Sequence, residues 1–249
     1  SHEHMTVRVI KETEIKDILN SMGLDPAKIA DMATGKIDAY YSHVIASGVD
    51  VDKLDFIVRD SFHTGAEYGF VDVHRIITSY NVYNNMLVVE SRALSALEAF
   101  LIARVLSFRS IYFHRVSRAV QLMLEEALNL ADEELDLSGR VDDIYEYLKL
   151  NDYSLWTLLE EQSKKAKPII DRLNRRDLWK MAYEREFHIR DEFLSNLLTN
   201  YKIRDQLRNE IAEGAGISPD DVHIDVPTLP SVPYSHSMQM EKMEIPILI

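Results

Sequence analysis

The spacing of apolar residues predicts helices over most of the first 200 residues. Apolar side chains recur every three or four positions, which places them along one face of a helix. Residues that interrupt helices are sparse, since no proline lies between Pro26 and Pro168 and no glycine between Gly69 and Gly139. A short helix is predicted to begin at Pro26, which Asp25 precedes as an N-cap. The other predicted helices cover residues 6–21, 36–46, 51–63, 140–150, 152–166, 168–175 and 191–212.

A further helical pattern begins at Asp72 and continues for about 60 residues, which is longer than an ordinary helix. We therefore expect breaks near residues 81–85 and 107–110. The Ser138-Gly139 pair predicts a turn, because this combination is common in loops.

The C-terminal segment has a different pattern. Five of the seven prolines lie from Pro219 onward, and residues 222–226 alternate between apolar and polar as a strand does. Residues 243–249 are typical of an edge strand. The sequence therefore predicts a mainly α fold, a helical bundle with a small C-terminal α+β module. The predicted domains are a helical core (residues 1–134), a helical extension (residues 140–212) and the C-terminal module (residues 213–249).

Charge and composition exclude several classes of function. The chain has 28 Lys and Arg against 41 Asp and Glu, a formal net charge of −13. This balance disfavours binding to nucleic-acid polymers or to anionic membrane surfaces. There is no cysteine, which excludes disulfides, thiolate metal sites and a cysteine nucleophile. No apolar run approaches the roughly 20 residues of a membrane span, so we expect a cytoplasmic protein.

A segment near residue 50 combines acidic residues with one aromatic. On a helix, one side carries the polar residues Asp52, Asp55, Arg59 and Asp60 together with Phe56, and Lys53 lies at its edge. The other side carries the apolar residues Leu54, Ile57, Val58 and Phe62. A solvated amphipathic helix explains most of this pattern. Phe56 is the exception, because an aromatic side chain among charged neighbours suits the wall of a pocket for a polar ligand.

The segment 99–124 is basic although the protein is acidic. It contains four arginines and no carboxylate. Arg104, Phe108, Tyr112 and Arg115 recur at helical spacing and are expected to share a face. Guanidinium groups without acidic partners are typical of phosphate binding. Acidic residues from elsewhere in the chain are the alternative partners, but an isolated basic segment favours a small phosphorylated ligand over a polymer.

Three sequence elements together resemble the HD-domain phosphohydrolases, in particular their deoxynucleoside-triphosphate triphosphohydrolase branch. The sequence Asp52-Lys53-Leu54-Asp55-Phe56, followed by Arg59-Asp60-Ser61-Phe62-His63-Thr64-Gly65, is similar to the family's late aspartate motif. Arg104 with Tyr112-Phe113-His114-Arg115 resembles a family segment in which an arginine lies eight residues before a Tyr-x-His-basic sequence. His2-Glu3-x-Met5-Thr6 resembles the family's short His-Glu element. The resemblance covers about residues 1–130 and implies an HD-domain-like helical bundle, of which residues 1–134 are the remaining part.

The resemblance also implies roles for individual residues. Asp52 would be the catalytic residue of this chain, as the last aspartate ligand of a His…His-Asp…Asp metal site. The metal would be a divalent ion (Mg, Mn, Fe, Ni or Zn). Lys53 and Arg104 would contact the triphosphate of the substrate, with Arg115 nearby. The family's first histidine, its His-Asp pair and its catalytic histidine would all precede Ser1, and this sequence contains no His-Asp dipeptide.

Three further residues would bind the sugar of the substrate. Asp60 would hold its 3′-hydroxyl, and Tyr112 would pack on the ring and disfavour a 2′-hydroxyl. Phe56 stands where relatives that act on deoxynucleotides often have tyrosine, which leaves the exact substrate open.

The resemblance implies that the parent protein is a metal-dependent phosphohydrolase of nucleotides, in particular a deoxynucleoside triphosphate triphosphohydrolase. By analogy with the family, we expect a homo-oligomer that binds a nucleotide or another small phosphorylated substrate. The alternative is a non-catalytic nucleotide-binding or oligomerisation module that lacks the metal site.

Overall fold

A computed structural model describes residues 2–37, 39–185, 200–226 and 247–248. The helices in these ranges are α1 (His2–Glu12), α2 (Ile15–Ser21), α3 (Pro26–Ala33), α4 (Tyr40–His43), α5 (Val51–Thr64), α6 (Val73–Ile77), α7 (Leu94–Ser107), α8 (Arg115–Leu135), α9 (Leu137–Asp142), α10 (Ile144–Tyr147), α11 (Asp152–Glu161), α12 (Lys167–Asn174) and α13 (Tyr201–Ala215). The strands are β1 (Tyr80–Tyr83), β2 (Met86–Glu90) and β3 (Ile247–Leu248). The predicted mainly α fold is confirmed. No helix in the described ranges is both long enough and apolar enough to span a bilayer.

The chain divides into two compact units. Unit 1 comprises the described residues within 1–112, 138–151 and 230–249, and unit 2 those within 113–137 and 152–229. This division differs from the three domains outlined from the sequence, whose boundaries stay predictions.

The core of unit 1 is built around α5 and α7, which pack against each other. Ile57 of α5 and Phe100 of α7 are fully buried, together with Ile76 of α6 and Val89 of β2. The predicted helix over residues 51–63 is confirmed and ends one residue later, where Gly65 adopts the left-handed conformation (φ 72°) that favours glycine. This core fixes α5 beside α7, and the candidate site lies along these two helices.

A β-hairpin interrupts the long pattern for which the sequence predicted helices. β1 pairs antiparallel with β2, and the chain reverses at Asn84 and Asn85, which both have positive φ (48° and 65°). Two successive left-handed residues are the geometry of a tight hairpin turn. The predicted break near residues 81–85 is confirmed in position, although strands and not helices flank it.

β3 adds to the other side of β2 in parallel, with Val89 opposite Ile247. The predicted terminal edge strand is therefore confirmed for residues 247–248, and residues 243–246 and 249 lie outside the described residues.

Several of the predicted helices are divided or shortened. The helix predicted over residues 6–21 separates into α1 and α2 at Thr13, whose hydroxyl donates to the carbonyl of Val9 (2.6 Å). The helix predicted over residues 36–46 is reduced to α4. Of the helix predicted over residues 191–212, positions 191–199 lie outside the described residues, and Tyr201 onward forms α13.

The turn expected at Ser138-Gly139 was wrong, because both residues lie within α9. The break between α8 and α9 falls at Asp136, which has a φ of 48°. The helix predicted over residues 140–150 is divided between α9 and α10, because the Asp143 side chain caps the start of α10 by accepting from the backbone N–H of Tyr145 (2.8 Å).

The strand expected at residues 222–226 was also wrong, since this segment is irregular. Its side chains are held by other contacts within unit 2. Asp225 accepts two hydrogen bonds from the Arg118 guanidinium (2.7 and 2.6 Å). The His223 ring stacks on Trp179, with centroids 3.6 Å apart. Side-chain anchoring to helix α8 and to Trp179 therefore replaces the strand pairing that the alternation predicted.

Candidate functional site

The first turn of α5 is organised by a buried carboxylate. Asp50 accepts hydrogen bonds from the backbone N–H groups of Lys53 (2.8 Å) and Ser47 (3.1 Å), and it forms an ion pair with the Lys53 ammonium. The N-cap contact satisfies donors that the helix itself leaves unpaired. The ion pair holds the Lys53 side chain at the positive end of the α5 dipole, where anions are favoured.

Arg104 lies on α7 with only 9% of its surface exposed. Its Nε and Nη1 atoms are shielded from solvent and find no hydrogen-bond partner among the described residues. Burial lowers the pKa of the guanidinium, while the negative charge of Asp50 acts in the opposite direction. Because an arginine keeps its charge even so, Arg104 presents buried, protonated donors that are not satisfied by the described parts of the chain.

Asp60 and Tyr112 meet two turns further along α5. The Tyr112 hydroxyl donates to Oδ2 of Asp60. Burial raises the pKa of Tyr112 well above its ordinary value, and the hydrogen bond to Asp60 and the Asp60 charge reinforce this shift. The ring of Phe108 lies 5.2 Å from that of Tyr112. Tyr112 therefore stays a neutral donor, and Oδ1 of Asp60 is left without a hydrogen bond from any described residue.

These contacts define a site with two chemically different ends. The charge of Asp50 acts on Arg104 at one end, and Asp60 binds Tyr112 at the other. The chain therefore runs in the same direction along α5 and along the stretch from Arg104 to Tyr112. Eight to ten helical residues span roughly 12–15 Å. One end carries Arg104 and the Lys53–Asp50 ion pair, and the other carries a carboxylate and a phenol.

Phe56 lies between these ends on α5. It is half-buried and packs against the core of unit 1. The apolar side of α5 is only partly buried. Leu54 and Ile57 are buried, whereas Val58 and Phe62 are exposed. Val58 and Phe62 line a shallow groove beside α6.

The regular face predicted from Arg104 to Arg115 was wrong. A π-helical turn over Phe108–Tyr112 follows α7, and a new helix, α8, begins at Arg115. The extra residue in the π turn changes the angular spacing, so the helical register is lost. Arg115 is exposed and belongs to unit 2, and its role in substrate binding stays a prediction.

The described residues do not form a complete metal site. No cluster of three or more His, Cys, Asp or Glu suited to a metal ion occurs within them. Asp52 is exposed on the first turn of α5, and its charge acts on Tyr112. Asp52 therefore offers one carboxylate, whereas a catalytic metal needs several ligands.

Two residues of the site were not identified from the sequence. Asp50 orders Lys53, and its position three residues ahead of Lys53, just before the helix, is an N-cap signal. Tyr68 lies in a short 3-10 turn (Glu67–Gly69) that packs against both α5 and α7. Its hydroxyl is buried. Burial raises the pKa of this hydroxyl, and the negative charge of Asp60 adds to the shift. Only two glycines, Gly65 before the turn and Gly69 at its end, mark it in the sequence.

A family profile described as the HD associated region matches residues 71–248, which is most of the chain. The chain belongs to the HD-associated region family. This membership places it in the HD-domain phosphohydrolase superfamily, as the sequence motifs predicted.

Proteins from distant organisms are similar to this HD-associated chain. A deoxynucleoside triphosphate triphosphohydrolase SAMHD1 homolog of Dictyostelium discoideum is 26% identical and matches 89% of the chain and 44% of its own length. An uncharacterized protein of Methanocaldococcus jannaschii is 28% identical and matches 72% of the chain and 35% of its own length. The chain thus spans between a third and a half of the length of these relatives.

Solved structures share the fold of the HD-associated chain. A phosphohydrolase from Bacteroides thetaiotaomicron superposes with a TM-score of 0.56 at 21% identity, covering 83% of the chain and 55% of the other protein. A hypothetical protein from Aquifex aeolicus superposes with a TM-score of 0.57 at 29% identity, covering 80% of the chain and 53% of the other protein. The first of these likenesses concerns the fold alone.

Proposed function

We propose that the chain forms the substrate-binding part of an HD-type phosphohydrolase that acts on nucleotides, and specifically on deoxynucleoside triphosphates. The observation that carries this proposal is the two-ended site along α5 and α7. Its cationic end suits phosphate, and its Asp60–Tyr112 end suits a hydroxyl group.

The phosphate end relies on Arg104 and Lys53. The unpaired Nε and Nη1 of Arg104 are donors held in a shielded position, and such donors bind phosphate oxygens through charge-assisted hydrogen bonds. Lys53, paired with Asp50, lies in the first turn of α5, where the N-terminus of the helix favours anions. In a hydrolysis reaction, these charges would offset the negative charge that develops on the phosphate oxygens.

The hydroxyl end relies on Asp60 and Tyr112. A carboxylate repels phosphate but accepts a hydrogen bond from a sugar hydroxyl, and Oδ1 of Asp60 is available for it. The Tyr112 ring would form a wall of the sugar site. Phe56 would supply an apolar contact between the two ends. These roles follow the residue assignments that the family resemblance implies.

Asp52 is the residue of the described chain that would take part in binding a divalent metal. Such a metal activates water for attack on phosphorus in related chemistry. The described residues do not fit a complete site, so the contribution of this chain is limited here to binding and orienting the nucleotide.

Isothermal titration calorimetry of the chain with dATP, dGTP, dCTP and dTTP tests the proposal. We expect binding of at least one dNTP and weak or no binding of the corresponding deoxynucleoside, because only the dNTP carries the phosphates that Arg104 would contact. Absence of dNTP binding, or equal affinity for nucleotide and nucleoside, would refute it.

A second measurement separates the enzyme from the alternative function. The parent protein is incubated with dNTPs and Mg²⁺ or Mn²⁺, and released triphosphate and phosphate are measured. Metal-dependent turnover by the parent protein supports the phosphohydrolase. Nucleotide binding by the chain without any turnover by the parent protein would favour the alternative, a non-catalytic nucleotide-binding or oligomerisation module.

Homo-oligomer formation is part of the same proposal. Light scattering with and without the bound dNTP measures it directly.

A further inference from the structure

Tyr68 is a half-buried residue whose hydroxyl none of the roles above uses. Its ring packs against the core of unit 1, beside α5 and α7. Its hydroxyl is shielded from solvent and has no hydrogen-bond partner among the described residues. A buried polar group without a partner is uncommon and costs stability, so its retention calls for an explanation.

The position of Tyr68 is fixed by an interlock between its turn and α5. The Ser61 hydroxyl donates to the carbonyl of Ala66 and accepts from the backbone N–H of Gly69 (3.1 Å). Gly69 is buried so closely against α5 that an added Cβ would lie 2.5 Å from the Ser61 hydroxyl and 3.0 Å from the carbonyl of Ile57. The turn therefore cannot shift toward or away from α5 without breaking these contacts.

This interlock joins Gly69, the neighbour of Tyr68, to Ser61, the neighbour of Asp60 on α5. The negative charge of Asp60 acts on the Tyr68 hydroxyl, and Tyr68 acts in turn on Tyr112. The Tyr112 hydroxyl already donates a hydrogen bond to Oδ2 of Asp60. The charge of Asp60 thus acts on two phenols, but only Tyr112 is hydrogen-bonded to it.

We propose that Tyr68 is a positioning residue for Asp60, a reserve donor that holds the carboxylate when a hydroxyl of the ligand binds to it. The Tyr68 hydroxyl is shielded from solvent, so it acts on the ligand through Asp60 and not by direct contact. When a ligand hydroxyl donates to Asp60, the carboxylate turns and accepts from Tyr68 as well. Tyr68 thereby favours ligands that carry a hydroxyl at the end opposite to the phosphates.

This inference rests on the proposed function, because it takes a sugar hydroxyl as the group that meets Asp60. The test compares each 2′-deoxynucleoside triphosphate with its 2′,3′-dideoxy counterpart, which lacks that hydroxyl. Dissociation constants for the two ligands are measured by calorimetry on the chain and on its Tyr68→Phe variant. The ratio of the two constants reports how strongly the site selects for the hydroxyl.

In Tyr68→Phe, we expect affinity for the deoxynucleotide to fall about three- to tenfold, the effect of one lost hydrogen bond. Affinity for the dideoxynucleotide is expected to stay unchanged. The melting temperature without ligand should stay the same or rise, because the variant removes a buried hydroxyl that has no partner. A merely structural tyrosine would instead lower the melting temperature and weaken both ligands equally.

Tyr80→Phe is the matched control. Its hydroxyl is also shielded by burial, but it donates to the carbonyl of Val49 (2.5 Å). We expect this variant to lower the melting temperature and to leave the ratio of dissociation constants unchanged.

The possible failures are distinguishable. If the unaltered chain binds no dNTP, the proposed function fails and the inference fails with it. If the chain prefers the deoxynucleotide but Tyr68→Phe keeps the same ratio, or weakens both ligands equally, only the inference is overturned.

Discussion

Replacing Arg104 with methionine should change stability and binding in opposite directions. Methionine has a similar length and an apolar side chain, so it fills the space of the arginine stem without its charge. In the unaltered chain, two guanidinium nitrogens are buried without a partner among the described residues. Asp50 does not depend on Arg104, because it keeps its hydrogen bonds to Lys53 and Ser47.

The size of both effects follows from these contacts. Each buried and unsatisfied donor costs about 1–3 kcal/mol, and the attraction between Arg104 and Asp50 offsets part of that cost. We therefore expect Arg104→Met to raise the free energy of unfolding by about 1–2 kcal/mol, or the melting temperature by about 2–8 °C. Loss of charge-assisted hydrogen bonds to phosphate should weaken dNTP binding by about 10- to 100-fold.

Thermal unfolding and calorimetric titration with dNTPs measure the two effects. Arg59→Met is the matched control, because Arg59 lies on α5 with its side chain 64% exposed and pairs with Asp55 at the surface. An exposed pair contributes little, so this variant should stay within about 0.5 kcal/mol of the unaltered chain and bind dNTPs normally.

The reasoning is refuted if Arg104→Met lowers the free energy of unfolding by more than 1 kcal/mol while dNTP affinity is retained. That result would show that the described ranges omit a structural partner of Arg104. It would also remove the main support for the phosphate end of the site.

Two further predictions concern the structure around and beyond the site. Gly69→Ala should lower the free energy of unfolding by about 1–3 kcal/mol, because the added Cβ meets Ser61. In thermal unfolding, Ser61→Gly in the same chain should recover part of this loss. Equal stability of Gly69→Ala and the unaltered chain would contradict the interlock. Burial lowers the pKa of His223 below its ordinary value of 6.5, so the unfolded state takes up the proton first as pH falls. The melting temperature should therefore decrease below about pH 6.5, and His223→Phe should reduce this decrease; an unchanged pH profile would show that the His223 proton is not linked to folding.

The helix α5 could be predicted from sequence because its limits are set locally. Asp50 caps its first turn through its own side chain, and Gly65 ends it in a left-handed conformation. Both effects involve residues within a few positions of the helix end. The polar face with Asp52, Phe56 and Asp60 also follows from helical spacing alone.

The hairpin could not be predicted in the same way. Leu87, Val88 and Val89 form an apolar run that fits a helix as well as a strand. The Asn84-Asn85 turn marks the break but gives a weaker hairpin signal than Asn-Gly. The deciding contact is the pairing of Val89 with Ile247, which joins residues far apart in the chain.

The site shows the same distinction between local and distant contacts. Arg104 and Tyr112 were predicted as site residues from their spacing and from the absence of acidic residues around them. Tyr68 was not, because it approaches Asp60 only when its turn is held against α5 by Ser61 and Gly69. No periodicity in the sequence encodes that approach.

The unpaired groups at the two ends of the site together restrict the class of ligand. Arg104 and Tyr68 have buried polar atoms without partners, and elsewhere in the described parts of the chain only the Nε atoms of Arg204 and Arg208, in unit 2, share this condition. Inorganic phosphate would pair with the guanidinium of Arg104 but would leave the Tyr68 hydroxyl, at the Asp60 end, without a partner. A nucleoside would reach Asp60 and leave Arg104 unpaired. A ligand that carries phosphate at one end and a hydroxyl at the other would engage both ends at once, and a nucleoside triphosphate carries both groups.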